Sequence, residues 1–176
     1  MIKLSIITVT AVLIAGAIAQ AQTSGAPAPT DPQIAMIAVT ADNVDIAYGK
    51  LAAEKTSNPK VKEFGELMVR DHTSVNKKAT DLAKKLNLTP EESATSRSLK
   101  SDGDKMLEKL RGMSGAEFDK AYIDNEVSYH EAVIKTVTET LIPNTKNAEL
   151  KKLLESAGPI FNSHLKHAKE LQSSLK

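Results

Sequence analysis

"VKEFGELMVRDHTSVNKKATDLAKKL" (residues 61–86) carries apolar side chains at Val61, Phe64, Met68, Val75, Ala79, Leu82 and Leu86. With His72 counted between Met68 and Val75, every step along the row is three or four residues. That spacing keeps the row on one face of an α-helix. The row is a core seam, and a histidine stands in it. "SNP" at 57–59 opens the helix and Leu86 closes it, while stretches such as "KKATDLAKK" form its solvated face.

The same spacing recurs on three further long segments. The first helix starts near Asp31-Pro32, with Asp as N-cap and Pro as first helical residue, and its seam is Ile34, Ile37, Ala41, Val44, Tyr48 and Leu51. The third long helix reads Ile123, Val127, His130, Ile134, Val137, Leu141, and Ser114 with Glu117 forms a capping box ahead of it. The last runs from about Asn147 to Leu175 through Leu150, Leu154, Ala157, Phe161, His164, Ala168 and Leu171; Gly158-Pro159 should kink or split it. Between the second and third, a loop at 87–96 leads to a shorter helix, roughly Ser96–Leu110, with Leu99, Met106, Leu107 and Leu110 covering one side. The expected fold is all-α, a four-helix bundle with an extra short helix in the connection between the second and third long helices.

Composition agrees. Aromatic residues make up only 3% of the 176, and the chain is rich in aliphatic and charged helix formers. It has no Cys, so disulfides and thiolate metal sites are excluded. "MIKLSIITVTAVLIAGAIAQA" (1–21) has one charge, Lys3, an apolar run, and an Ala-Gln-Ala end, which is the pattern of a cleaved signal peptide. The apolar run is short for a bilayer span. Its removal takes one Lys from the 23 basic residues and none of the 22 acidic ones, so the formal charge falls from +1 to 0. Residues 22–32 read as a Pro/Gly/Ser-rich linker, and 33–176 as one bundle domain. The mature chain is expected outside the cytoplasm, in the periplasm or at the cell envelope. It has no further transmembrane segment and no basic footprint for nucleic acid. A homo-oligomer is compatible with this pattern, which names no partner protein.

Three of the four histidines, His72, His130 and His164, occupy seam positions on three different helices, each near mid-helix. Asp45 lies near the middle of the first helix, just beside the seam. A mismatch of three residues is only about 4–5 Å along a helix axis. The four side chains can therefore meet in one layer, as bundle metal sites do. Three neutral imidazoles and a carboxylate suit one ion of Zn, Cu, Mn or Fe. Glu126, four residues before His130, or Tyr122 could support the ligands. His167 is a reserve ligand at the bundle edge, Asp71 a surface or capping-type partner, and Tyr48, Tyr122 and Tyr129 core aromatics. The alternative is a buried His/Asp layer that only fixes helix register. No nucleophile elbow, phosphate loop or dinucleotide fingerprint occurs, so no catalytic residue and no organic cofactor is expected.

"DIAYGKLAAEKTSNPKVKEFGELMVRDHT", "MSGAEFDKAYIDNEVSYHE" and "AGPIFNSHLKHAKEL" resemble a family of exported bacterial proteins, catalogued as domain of unknown function four-one-four-two and often labelled putative outer membrane protein. The resemblance covers about Ile34–Leu171 and implies a ferritin-like bundle. The family's motif histidines correspond to His72, His130 and His164, and an acidic residue on its first helix, usually Glu, to Asp45. Di-iron bundles use a Glu from each of two helices and a Glu-x-x-His motif from each of the other two, whereas Val69 and Phe161 stand three residues before His72 and His164. That shortage of carboxylates speaks against ferroxidase or iron-storage activity. The functional expectation is an exported, stress-associated bundle holding one metal ion.

If 1–21 is a signal peptide, mass spectrometry of the chain exported by a bacterial host should give a mature form beginning at Gln22. Retention of Lys3 to Ala19 in the envelope fraction would indicate an anchor instead.

Overall fold

The computed structural model describes residues 27–175. The signal-peptide segment 1–21 and the first half of the expected linker lie outside the described residues. Among them the chain is helical throughout, without strands: α1 Asp31–Lys55, α2 Pro59–Lys85, α3 Ala94–Arg111, α4 Gly115–Thr136, a π-helical segment Val137–Leu141, α5 Ile142–Asn144 and α6 Ala148–Ser174.

The three-residue link at 56–58 makes α1 and α2 an antiparallel hairpin. Lys55 Nζ donates to the Arg111 carbonyl and Thr56 Oγ1 to Asp119 Oδ1, so the α1–α2 turn sits beside the α3–α4 turn. At the opposite end the Asp31 carboxylate accepts from the backbone N–H groups of Lys146 and Asn147, each at 2.8 Å, and Glu91 N–H donates to the Pro32 carbonyl at 3.1 Å. Thus α1, α3 and α6 run one way and α2 and α4 the other. α3 is a long crossover that carries the chain back along the bundle, the connectivity of ferritin-like folds.

Helix ends differ in detail from expectation. Thr30 is the N-cap of α1, and its N–H donates to Gln33 Oε1 at 3.1 Å. Asp31, expected to cap, is freed to hold the start of α6, and the helix takes in Asp31 and Pro32 from the expected linker. α3 begins two residues early because Ser93 caps it through the Ser96 N–H. The capping box expected at Ser114 does not form; Ser114 is the N-cap without a side-chain bond, and the turn is made by Gly115 at φ +56°. The third long helix keeps its seam but widens at Val137–Leu141, just before Pro143, which has no N–H to continue an α ladder. α6 is not split at Pro159. The preceding residue is Gly158, which has no Cβ to clash with the proline ring.

Two large apolar clusters fill the bundle, with a smaller one of Val75, Ala157 and Phe161. Tyr48, Phe64, Met68, Phe118, Tyr122 and Ile123 form one beside the α1–α2 turn. Ile34, Ile37, Val137, Leu141, Leu150 and Leu154 form the other at the opposite end. The helix pair α1–α2 is drawn together by two facing glycines. A Cβ at Gly49 would lie 2.6 Å from the Gly65 carbonyl oxygen, and one at Gly65 2.8 Å from that of Gly49. Among the described residues no helix is long and apolar enough to cross a membrane.

The glycine contact is backbone on backbone, so a methyl there must push two helices apart. Gly49→Ala should destabilise by about 1–3 kcal/mol, the usual range for overpacking. Gly112→Ala, whose Cβ would come no nearer than 3.4 Å to any neighbour, should change little. Thermal melts of both variants check this; equal midpoints would show that the close approach does not constrain the fold.

Candidate metal centre

Asp45, His72, His130 and His164, expected to meet from sequence spacing, do converge between the two apolar clusters, and each is at most 2–3% exposed. The three imidazole centroids are 5.2–5.7 Å apart in pairs. One nitrogen from each of His72, His130 and His164 lies within 4.8 Å of the other two, and donor atoms of Asp45, Glu126 and His130 form a second such group.

Each histidine has one nitrogen held from outside. His72 Nδ1 lies 2.8 Å from Asp42 Oδ1 on α1. His130 Nδ1 lies 3.0 Å from the Glu126 carbonyl, one turn back on α4. His164 Nε2 lies 3.0 Å from Asp71 Oδ2 on α2. Carboxylates and carbonyls accept, so these nitrogens carry protons, which fixes the tautomer of each ring in its neutral form. The opposite nitrogens, His72 Nε2, His130 Nε2 and His164 Nδ1, are buried without a hydrogen-bond partner, as are both carboxylate oxygens of Asp45 and of Glu126. Asp45 Oδ2 is 3.1 Å from His72 Nε2 and 3.5 Å from His130 Nε2. Those are close contacts without hydrogen-bond direction. They also straddle the separation of roughly 3.3–3.4 Å between ligands bound tetrahedrally at about 2.0–2.1 Å from one ion.

Burial and mutual charge set the protonation states. Burial works against a charge on His72, yet Asp45 and Asp42 outweigh it and lift the imidazole to about 10. Burial likewise works to raise Asp45, but the facing imidazoles, His72 foremost, hold its carboxyl below the usual range. Burial pushes Asp42 up, with His72 offsetting part of the rise. His130 is pushed down by burial, and His164 to about 4 in spite of its bond to Asp71. Both are therefore neutral near pH 7, the form that ligates. Burial and the neighbouring Asp45 raise Glu126 well above its ordinary value.

Two residues have other roles than sequence reasoning gave them. Asp71 is a half-buried partner of His164, because α6 approaches the flank of α2 on which Asp71 stands. Asp42 was not singled out, although it lies three residues before Asp45 and so shares its face; it is 2% exposed and orients His72. Glu126 stands beside the layer, with Oε2 3.4 Å from His130 Nδ1, the outward nitrogen of that ring. His167 stays outside the cluster and meets the Phe64 ring edge-on at 5.1 Å between centroids. Tyr48 and Tyr122 are core aromatics as expected, and Tyr129 donates its hydroxyl to the Ala41 carbonyl at 2.9 Å.

Comparison with curated proteins and with solved structures finds no match. A family model does match, over residues 16–171, which takes in all four helices of the bundle and every donor described above. The chain belongs to the family described as Domain of unknown function (DUF4142).

Proposed function

We propose that this is an exported helical bundle that binds a transition-metal ion in its core through Asp45, His72, His130 and His164, with Glu126 beside them. One observation carries the reading: each of three histidines is fixed from outside by an acceptor, while its other nitrogen is buried, unpaired and turned toward the same space. Metal-binding histidines are held in this way, the second nitrogen donating to a carboxylate or carbonyl. Neutral imidazoles with a carboxylate suit Zn, Cu, Mn or Fe. Such an ion would supply a Lewis-acid or redox centre inside an apolar shell.

The competing reading is a buried layer that only fixes helix register. In its favour, His72 as an imidazolium between Asp42 and Asp45 is charge-matched without any ion. It leaves His130 Nε2, His164 Nδ1 and both Glu126 oxygens unaccounted for. Each unsatisfied buried polar group costs about 1–3 kcal/mol. Several together approach the whole net stability of a domain, about 5–15 kcal/mol. With His130 and His164 neutral, their free nitrogens are acceptors beside the Asp45 carboxylate, and a cation satisfies these together. The metal reading is preferred on that ground.

Elemental analysis of gently purified protein should give one ion of transition metal per chain, lost in His72→Leu, His130→Leu and His164→Leu. Leu suits an apolar seam, so these variants should remain helical. The same ion added back should raise the melting midpoint of the wild type, by about 2.7 kcal/mol of stabilisation at a hundredfold excess over Kd. Metal-free wild type that gains no stability from Zn²⁺, Cu²⁺, Mn²⁺ or Fe²⁺ would sink the proposal.

Asp42 and Asp71 separate the two readings. As supports for ligands, Asp42→Ala and Asp71→Ala should each weaken metal affinity about 10–100-fold. If the layer serves packing alone, they should alter thermal stability with no effect on metal titrations.

A further inference from the structure

The two ends of the bundle are filled differently. Beside the α1–α2 turn, Tyr48, Phe64, Phe118 and Tyr122 are each at most 2% exposed. At the other end the inward positions carry alanines, among them Ala35, Ala38, Ala41, Ala79, Ala83 and Ala157, and the helices enclose a cavity of about 170 Å³. The leucines around it, Leu82, Leu86, Leu88, Leu99 and Leu153, are half-buried rather than sealed. The cavity adjoins a surface groove between α1 and α2, lined by Val39, Lys84 and Pro90, with which it shares Ala35, Ala79, Ala83 and Leu88. Its inner wall includes Asp42 and Phe161. Phe161 stacks on His72, with centroids 5.3 Å apart and planes 8° from parallel. The inner end is thus one side chain from the histidine layer.

Chemistry narrows the occupant. On this wall Asp42 Oδ1 is engaged by His72 and the Tyr129 hydroxyl hydrogen by the Ala41 carbonyl, which leaves few polar atoms, among them those of Thr95 and Thr136, to meet a ligand. The remaining wall is overwhelmingly aliphatic. A dry apolar cavity of about 150 Å³ accommodates benzene. We propose that this cavity is a binding site for a small uncharged apolar molecule of about six to eight carbon atoms, admitted between α1 and α2 beneath the α2–α3 loop. The assignment rests on the cavity alone and holds whether or not the histidine layer carries an ion.

Toluene is a suitable probe, with benzoate as its charged counterpart, on the mature chain without added metal. Toluene should raise the melting midpoint saturably, and benzoate should not. In methyl NMR the resonances of Ala38, Ala79 and Ala83 should shift first. Ala79→Leu and Ala83→Leu fill the space and should weaken the toluene response at least tenfold while the helical signal is kept. If one of them fails to fold, the other and the wild-type methyl shifts decide. Absence of a toluene response in the wild type, shifts confined to surface methyls, or an undiminished response in a folded Leu variant would each overturn the assignment. Failure of the metal tests above would leave this result untouched.

Discussion

His72 lies between two carboxylates, with Nδ1 2.8 Å from Asp42 and Nε2 3.1 Å from Asp45, where all three side chains are at most 3% exposed. An isolated ion at such a depth would be strongly disfavoured. The pair of acids three residues apart on α1 and the imidazole on α2 therefore hold these helices in one register, since a slip of one residue would strand a charge. Gly49 and Gly65 sit one to two turns to one side of this layer and set the helix spacing that lets the contacts close. The short link at 56–58 and the aromatic cluster behind it then fix the hairpin against α4 and α6.

Those two helices complete the layer by a different logic. His130 is oriented by its own helix, through the Glu126 carbonyl, and needs no neighbour to hold it. His164 is oriented across an interface by Asp71, which makes its position depend on how α6 lies against α2. Of the three imidazoles, His72 alone is favoured in its charged form; burial keeps the other two neutral. The layer therefore combines one strongly compensated group with two ready donors, and any cation entering it competes with the proton on His72.

Much of this was legible from spacing. His72, His130 and His164 stand in rows of apolar residues, and near-equal distances to their helix ends bring them to one level. Asp42 was hidden because a lone acid three residues from another reads as surface until the partner helix is known. Asp71 was misassigned for a related reason: adjacent residues on a helix point apart, yet two neighbouring helices can approach two faces of α2 at once. The widened turn at Val137–Leu141 leaves the apolar row intact, so periodicity could not reveal a change in hydrogen-bond pattern. The start of α1 moved because Asp31 makes a long-range contact, which outweighs its local preference for the cap.

The distribution of side-chain size along the bundle has a meaning beyond stability. Four large rings close one end, whereas alanines and half-buried leucines leave the other incompletely filled, and the π-helical segment contributes Val137 and Leu141 to that same cavity. Such segments occur often at functional sites. A bundle shaped for stability alone would fill the space and pair every buried donor and acceptor. Here both rules are relaxed in adjoining places, at the histidine layer and in the cavity beside it, while large rings fill the opposite end. Sites that break local rules are sustained by regions that keep them. The aromatic end and the glycine-tightened hairpin are what allow the polar layer and its apolar neighbour to persist in one small domain.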